Sequence, residues 1–175
     1  MIKFLNNIES TFLDYPDGES SAVIVCLIGC DNHCKGCQNP DLKNYDYSTN
    51  VKTLSDEDFV NALKDYAKRE RTNKVVLSGG DPLSCFNIES VKNVLKIINN
   101  ELDVCIYTGH DINYVKENNV TGFKYVKCGY FNIDTKQESM KTDDFIQFAT
   151  PNQELYNSEY KLLSKNGRYY FNQGV

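Results

Sequence analysis

Along most of this chain, continuous apolar runs alternate with stretches of helical period. Ala22 to Ile28 is apolar at every position and rich in β-branched residues, the pattern of a strand covered on both faces of a parallel sheet. Ser55 reads as an N-cap, and the acidic residues Asp56, Glu57 and Asp58 behind it suit the positive end of a helix dipole. Phe59, Ala62, Leu63, Tyr66 and Ala67 then recur at intervals of three and four, which predicts a helix through about Arg69. The same alternation continues with a strand at Lys74 to Ser78 and a helix carrying Ile88, Val91, Val94, Leu95 and Ile98, closed by Asn99-Asn100. A strand at Asp103 to Thr108, a helix at Asp111 to Asn118 and a strand at Phe123 to Lys127 follow.

Strands joined through helices of this length form right-handed parallel units, so the expected fold is α/β, a partial β/α barrel with a mainly parallel curved sheet. Ile2 to Leu13 and the polar stretch 41–52 show no clear period, and the second reads as loop. Near the C-terminus, Asn166-Gly167 is a two-residue hairpin turn. It predicts antiparallel pairing of Tyr160-Lys161-Leu162-Leu163 with Arg168-Tyr169-Tyr170-Phe171.

With 175 residues and no internal repeat, the chain is read as one domain, 1–175. Its net charge of −5, with basic residues spread out, excludes a non-specific nucleic-acid surface. No apolar run reaches the roughly 18 residues that span a bilayer, and no leader is evident, so a cytoplasmic protein is expected, with no membrane partner. Seven cysteines without a disulfide framework agree with a reducing compartment. Of these, Cys26, Cys105 and Cys128 lie in apolar runs and read as small buried hydrophobes.

The remaining thiols change the picture. Cys30, Cys34 and Cys37 stand in a Cys-x3-Cys-x2-Cys loop directly behind the first long strand, with Gly29 and Gly36 relaxing the bends. Three close sulfurs imply a metal. A structural zinc site wants a fourth protein ligand, for which His33 is at hand, whereas an iron-sulfur cubane on three cysteines keeps one iron open. Two more strand ends carry special turns, Gly79-Gly80-Asp81-Pro82 and Thr108-Gly109, and in α/β folds the ligand lies beyond the carboxyl ends of the strands. Gly79-Gly80 reads either as a tight strand-to-helix turn or as bare backbone that lets a ligand approach, with Asp81 offering an acceptor to an amine.

Together these motifs resemble the radical S-adenosylmethionine enzymes. The intervals between the cysteine loop, Ser78-Gly79-Gly80-Asp81-Pro82-Leu83 and Tyr107-Thr108-Gly109 are similar to those of activating proteins of the anaerobic ribonucleoside-triphosphate reductase. Thr150-Pro151-Asn152-Gln153 resembles a segment near that family's C-terminus. Gln38 stands where an aromatic is frequent, and Cys128-Gly129 where Asp-Gly is common.

The resemblance implies that Cys30, Cys34 and Cys37 hold a [4Fe-4S] cluster whose open iron binds the amino and carboxylate groups of S-adenosylmethionine. One electron, from a donor such as flavodoxin or ferredoxin, then cleaves the sulfonium, and the 5′-deoxyadenosyl radical takes hydrogen from a glycine of the partner reductase. Gly36, Gln38 and Asn39 are implied beside the cofactor, Gly79, Gly80 and Asp81 at its methionine end, and Thr108 nearby. Activation of a formate-lyase type of glycyl-radical enzyme, and a zinc-stabilised binding module without catalysis, are the alternatives. Iron and sulfide analysis separates the last from the other two.

Overall fold

A computed structural model describes residues 1–18 and 21–171. Its strands are β1 (Ile2–Leu5), β2 (Glu9–Thr11), β3 (Ala22–Leu27), β4 (Val51–Leu54), β5 (Lys74–Gly79), β6 (Asp103–Tyr107), β7 (Tyr125–Cys128), β8 (Met140–Lys141), β9 (Phe145–Gln147), β10 (Glu154–Asn157) and β11 (Arg168–Tyr170). Three helices intervene, α1 (Asp56–Arg69) after β4, α2 (Ile88–Ile98) after β5 and α3 (Ile112–Glu117) after β6. Short 3-10 turns occupy Pro40–Lys43 and Ile133–Thr135.

The main sheet runs β10-β7-β6-β5-β3-β1-β4, and β2 also pairs with β3. Its centre is parallel: Val23 lies opposite Val75, Val75 opposite Val104, and Ile106 opposite Val126. Its flanks are antiparallel, because β1 pairs with both β3 and β4 and β10 pairs with β7. The frame is thus a mixed α/β sheet with a mainly parallel centre.

Side-chain alternation gives the central strands two different faces. Val23, Val25, Val75, Leu77, Val104, Ile106 and Val126 are buried on one face against Phe59 and Leu63 of α1 and Val91 and Leu95 of α2. Each such side chain contributes on the order of 1.5–3 kcal/mol. Ser55 caps α1 by accepting from Asp58 N–H at 3.0 Å, and Asn99 leaves α2 in the left-handed region. The opposite face carries Ala22, Val76 and Cys105 beneath Tyr15, with Ile24, Tyr107 and Tyr125 beside them. That second face belongs to the site.

The C-terminal turn forms as the sequence predicts but pairs differently. Asn166 and Gly167 both have positive φ, 52° and 70°, and Lys165 and Arg168 exchange backbone hydrogen bonds across them. The partner of β11 is β9, with Tyr169 opposite Ile146, rather than the run at Tyr160 to Leu163. The physical reason is the apolar cluster of Ile146, Phe148 and Leu155, against which Tyr169, Phe171 and Leu163 all pack. Strands β11, β9 and β8 make a separate three-stranded sheet. Lys141 ties this sheet to the body by donating to Tyr15 O at 3.0 Å. Among the described residues no helix is long and apolar enough to cross a membrane.

Candidate functional site

Strands β3, β5 and β6 deliver three loops to the same end of the sheet, and backbone hydrogen bonds extend the pairing past the strands themselves. Gly80 N–H donates to Leu27 O and Asp81 N–H to Gly29 O, each at 2.8 Å. On the other side of the cysteine loop, Gly29 N–H donates to Leu42 O at 2.7 Å. The start of the loop is therefore fixed between the glycine turn and the 3-10 turn at Pro40–Lys43. Asn87, buried ahead of α2, adds bonds from its amide nitrogen to Ile28 O at 3.0 Å and Asp81 O at 2.9 Å.

A cavity of about 410 Å³ opens at this end. Cys30, Cys34 and Cys37 are on its wall, as are Gln38, Asn39, Gly79, Gly80, Asp81 and Thr108. The sequence motifs thus meet at one opening. Gly36 is apart from them, since a Cβ built on it lies 3.2 Å from Ile133. His33 is exposed. Cys105 and Cys128 are buried, whereas Cys26, expected in the core, is half-buried and lines the cavity.

The three loop cysteines are free thiols of intermediate exposure. Among the described residues no three His, Cys, Asp or Glu side chains close on a single metal ion. Three thiols on one cavity wall suit a group of several irons, which cysteine thiolates hold. Burial pushes the Cys30 thiol up to about 11, against hydrogen bonds from Asn32 and with a further push from Asp81. Metal binding has to displace that proton.

Gly79 and Gly80 border the cavity, yet their missing side chains answer to the protein's own backbone. A Cβ on Gly79 lies 2.5 Å from Leu27 N, and one on Gly80 lies 2.5 Å from Gly29 O. A Cβ on Gly109 lies 2.6 Å from Asn32 Nδ2. These glycines let three loops approach one another.

Asp81 sits where they meet. It is 1% exposed. Its Oδ2 accepts from Asn32 Nδ2 at 2.7 Å, Gly109 N–H at 2.8 Å and Thr108 Oγ1 at 3.1 Å, and its Oδ1 accepts from Leu83 N–H at 2.8 Å. Burial pushes its pKa up, opposed by the bonds from Gly109 and Leu83. Next to it, His110 Nε2 lies 3.2 Å from Asp31 Oδ1, and the imidazole stacks on Tyr114 with centroids 3.8 Å apart. Burial works to raise the Asp31 carboxyl, but the bond from Cys85 N–H and the nearby His110 outweigh it and hold the pKa below the ordinary value.

Asn32, Asn87 and His110 are the residues that sequence reasoning missed. Asn32 was visible inside the cysteine loop, and Asn87 as a polar residue just ahead of an apolar helix face. Nothing in the sequence singles out His110. The Gly129 turn keeps a positive φ of 111° although Cys128 precedes it, and the segment 150–153 holds it through Asn152 Nδ2 to Tyr130 O at 2.9 Å.

The far wall of the cavity carries Lys127. Its ammonium lies 3.8 Å from the centre of the Tyr107 ring and 5.5 Å from that of Phe148, and burial lowers its pKa to about 8.

The anaerobic ribonucleoside-triphosphate reductase-activating protein of Haemophilus influenzae (strain ATCC 51907 / DSM 11121 / KW20 / Rd) is 30% identical over 105 residues, covering 57% of this chain and 65% of that protein. The protein of the same name from Enterobacteria phage T4 is 25% identical over 148 residues, covering 83% of this chain and 89% of its own. The crystal structure of QueE from Escherichia coli superposes with a TM-score of 0.45 at 19% identity, over 62% of this chain and 53% of that one. The sequence profile of the 4Fe-4S single cluster domain matches residues 17–156, which include all three loop cysteines and both following turns. The chain belongs to the family of 4Fe-4S single cluster domains.

Proposed function

We propose that this chain is an activating enzyme for an anaerobic ribonucleoside-triphosphate reductase. In this reading Cys30, Cys34 and Cys37 hold a [4Fe-4S] cluster, and S-adenosylmethionine occupies the cavity between the cysteine loop and Gly79-Gly80. The observation that carries it is the shared cavity, which brings all three cysteines and the glycine turn to one mouth. The matched family and the names of the two relatives support it.

When bound, the cluster supplies the electron that cleaves the cofactor and so makes the hydrogen-abstracting radical. The chain's own residues bind and orient. Gln38 and Asn39 border the cofactor from the cysteine loop, Gly79 and Gly80 meet its methionine end through backbone, and Thr108 closes the opposite side. Asp81 stands behind that rim. The parallel strands β3, β5, β6 and β7 are the frame of an incomplete β/α barrel, with 1–175 as one domain. The electron donor is a flavodoxin or ferredoxin, the setting is cytoplasmic, and neither nucleic acid nor membrane takes part.

The test uses anaerobically purified protein. About four irons and four sulfides per chain are expected, with cleavage of S-adenosylmethionine on reduction and a glycyl radical resolved by electron paramagnetic resonance after mixing with the reductase. Stoichiometric zinc without iron would replace this reading by a zinc-stabilised module.

A further inference from the structure

The carboxylate of Asp81 has room for about four hydrogen-bond donors. Four protein donors already meet it, Asn32, Thr108 and Gly109 at Oδ2 and Leu83 at Oδ1. Three of the four belong to loops 49, 27 and 28 residues away in sequence, so the bonds join separate strand ends rather than close a local turn. The side chain is 1% exposed. An ammonium reaching Oδ2 from the cavity has to displace one of its three donors and leave it unpaired in a buried place, which costs as much as the new bond returns.

We infer that Asp81 is a positioning residue that sets the cysteine loop against the glycine turn and the Thr108-Gly109 turn, and that it is not the ligand of the cofactor's amine. Asn32 is the arm through which it acts. The Asn32 amide lies two residues past Cys30 and spans from the cysteine loop to Asp81 Oδ2. Gly109 is bare because Asn32 occupies the space a Cβ would take, 2.6 Å from its Nδ2. The Gly80 position is bare because the loop's own Gly29 O lies there. Each element of the contact is thus matched on both sides. Charge adds to it, since a carboxylate binds N–H donors more strongly than a neutral acceptor does.

This inference rests on the proposed function only for what the cysteines hold, and its test begins on metal-free protein. In Asp81→Ala, amide hydrogen exchange in residues 29–39 should speed up by roughly ten-fold or more relative to β5 and β6, the loss of a bond to a charged group. Asn32→Ala changes a partly exposed side chain and carries little folding risk. It should act in the same direction, and the double variant should exchange no faster than Asp81→Ala alone, as expected for one coupled contact. In cluster-loaded protein both variants should release iron to a chelator several-fold faster, while the affinity of Asn32→Ala and Asp81→Asn for S-adenosylmethionine stays within about two-fold of wild type. Unchanged exchange in 29–39 combined with lost cofactor affinity in Asp81→Asn would overturn the inference and return Asp81 to the amine. Absence of iron from the wild type would overturn the proposed function and leave the exchange experiment intact.

Discussion

Replacing Gly79 by alanine isolates the reason this position is bare. Gly79 has a φ of +106°, and a Cβ there meets Leu27 N at 2.5 Å, Leu27 O at 2.6 Å and Cys26 C at 2.7 Å. None of those atoms yields as the end of a flexible side chain does. The backbone conformation costs an alanine roughly 1–2 kcal/mol, and forcing β5 away from β3 adds about 1–3 kcal/mol. A total of roughly 2–5 kcal/mol lowers the melting midpoint of a chain of this size by about 4–20 °C. Circular dichroism of the metal-free protein measures it directly, since no cofactor enters the comparison. Gly18→Ala is the control, because its Cβ comes no nearer than 3.3 Å to the Phe171 ring and 3.4 Å to Asp143 O, and its φ lies outside the left-handed region. Were Gly79 bare only to admit the cofactor, both variants would melt like wild type and only cofactor binding would suffer. Equal midpoints for Gly79→Ala and Gly18→Ala would refute the packing argument.

Cys34→Ala should lose the normal iron content of the anaerobic protein, whereas Cys85→Ala, whose thiol is exposed outside the loop, should keep it; colorimetric iron analysis decides. Ser55→Ala removes the acceptor of Asp58 N–H at the start of α1, which costs about 1 kcal/mol, while Ser55→Thr, which keeps that acceptor and the hydroxyl donor to Asp58 Oδ2, should restore most of the loss in a thermal melt. Lys127 titrates near 8 in the folded chain because burial disfavours its charge, against about 10.4 when unfolded. Between those values the unfolded chain binds more protons, so the cost of the buried charge is fully present below about pH 8 and is relieved as pH rises toward 10. The midpoint of Lys127→Met minus that of wild type should therefore fall between pH 7 and pH 10, and a constant difference would contradict the lowered pKa.

What could be read from the sequence follows from how each element is stabilised. Strands β3, β5 and β6 are buried over most of their length, and α1 and α2 carry one apolar stripe each, so their patterns are unambiguous over five or more residues. β4 is a four-residue edge strand with two exposed positions, and its pairing with β1 is fixed by partners some fifty residues apart. Short edge strands carry too little pattern to be seen locally. The same contrast explains the C-terminus. The positive φ of Asn166 and Gly167 is a local demand that Asn-Gly advertises, but which strand β11 joins depends on the distant cluster of Ile146, Phe148 and Leu155.

At the site, the sequence displays residues whose type is unusual and hides those whose importance is positional. Three cysteines in eight residues and a Gly-Gly after a strand are conspicuous anywhere. Asn32 and Asn87 are ordinary loop residues until the ends of β3, β5 and β6 come together, whereupon each amide has backbone or carboxylate partners from another loop. Asp81 is conspicuous in the sequence as an acceptor, and what stays hidden there is the number of donors around it. An aspartate after two glycines at a strand end suggests an acceptor offered to a ligand. Only the fold brings Asn32, Thr108, Gly109 and Leu83 within 2.7–3.1 Å of the same carboxylate.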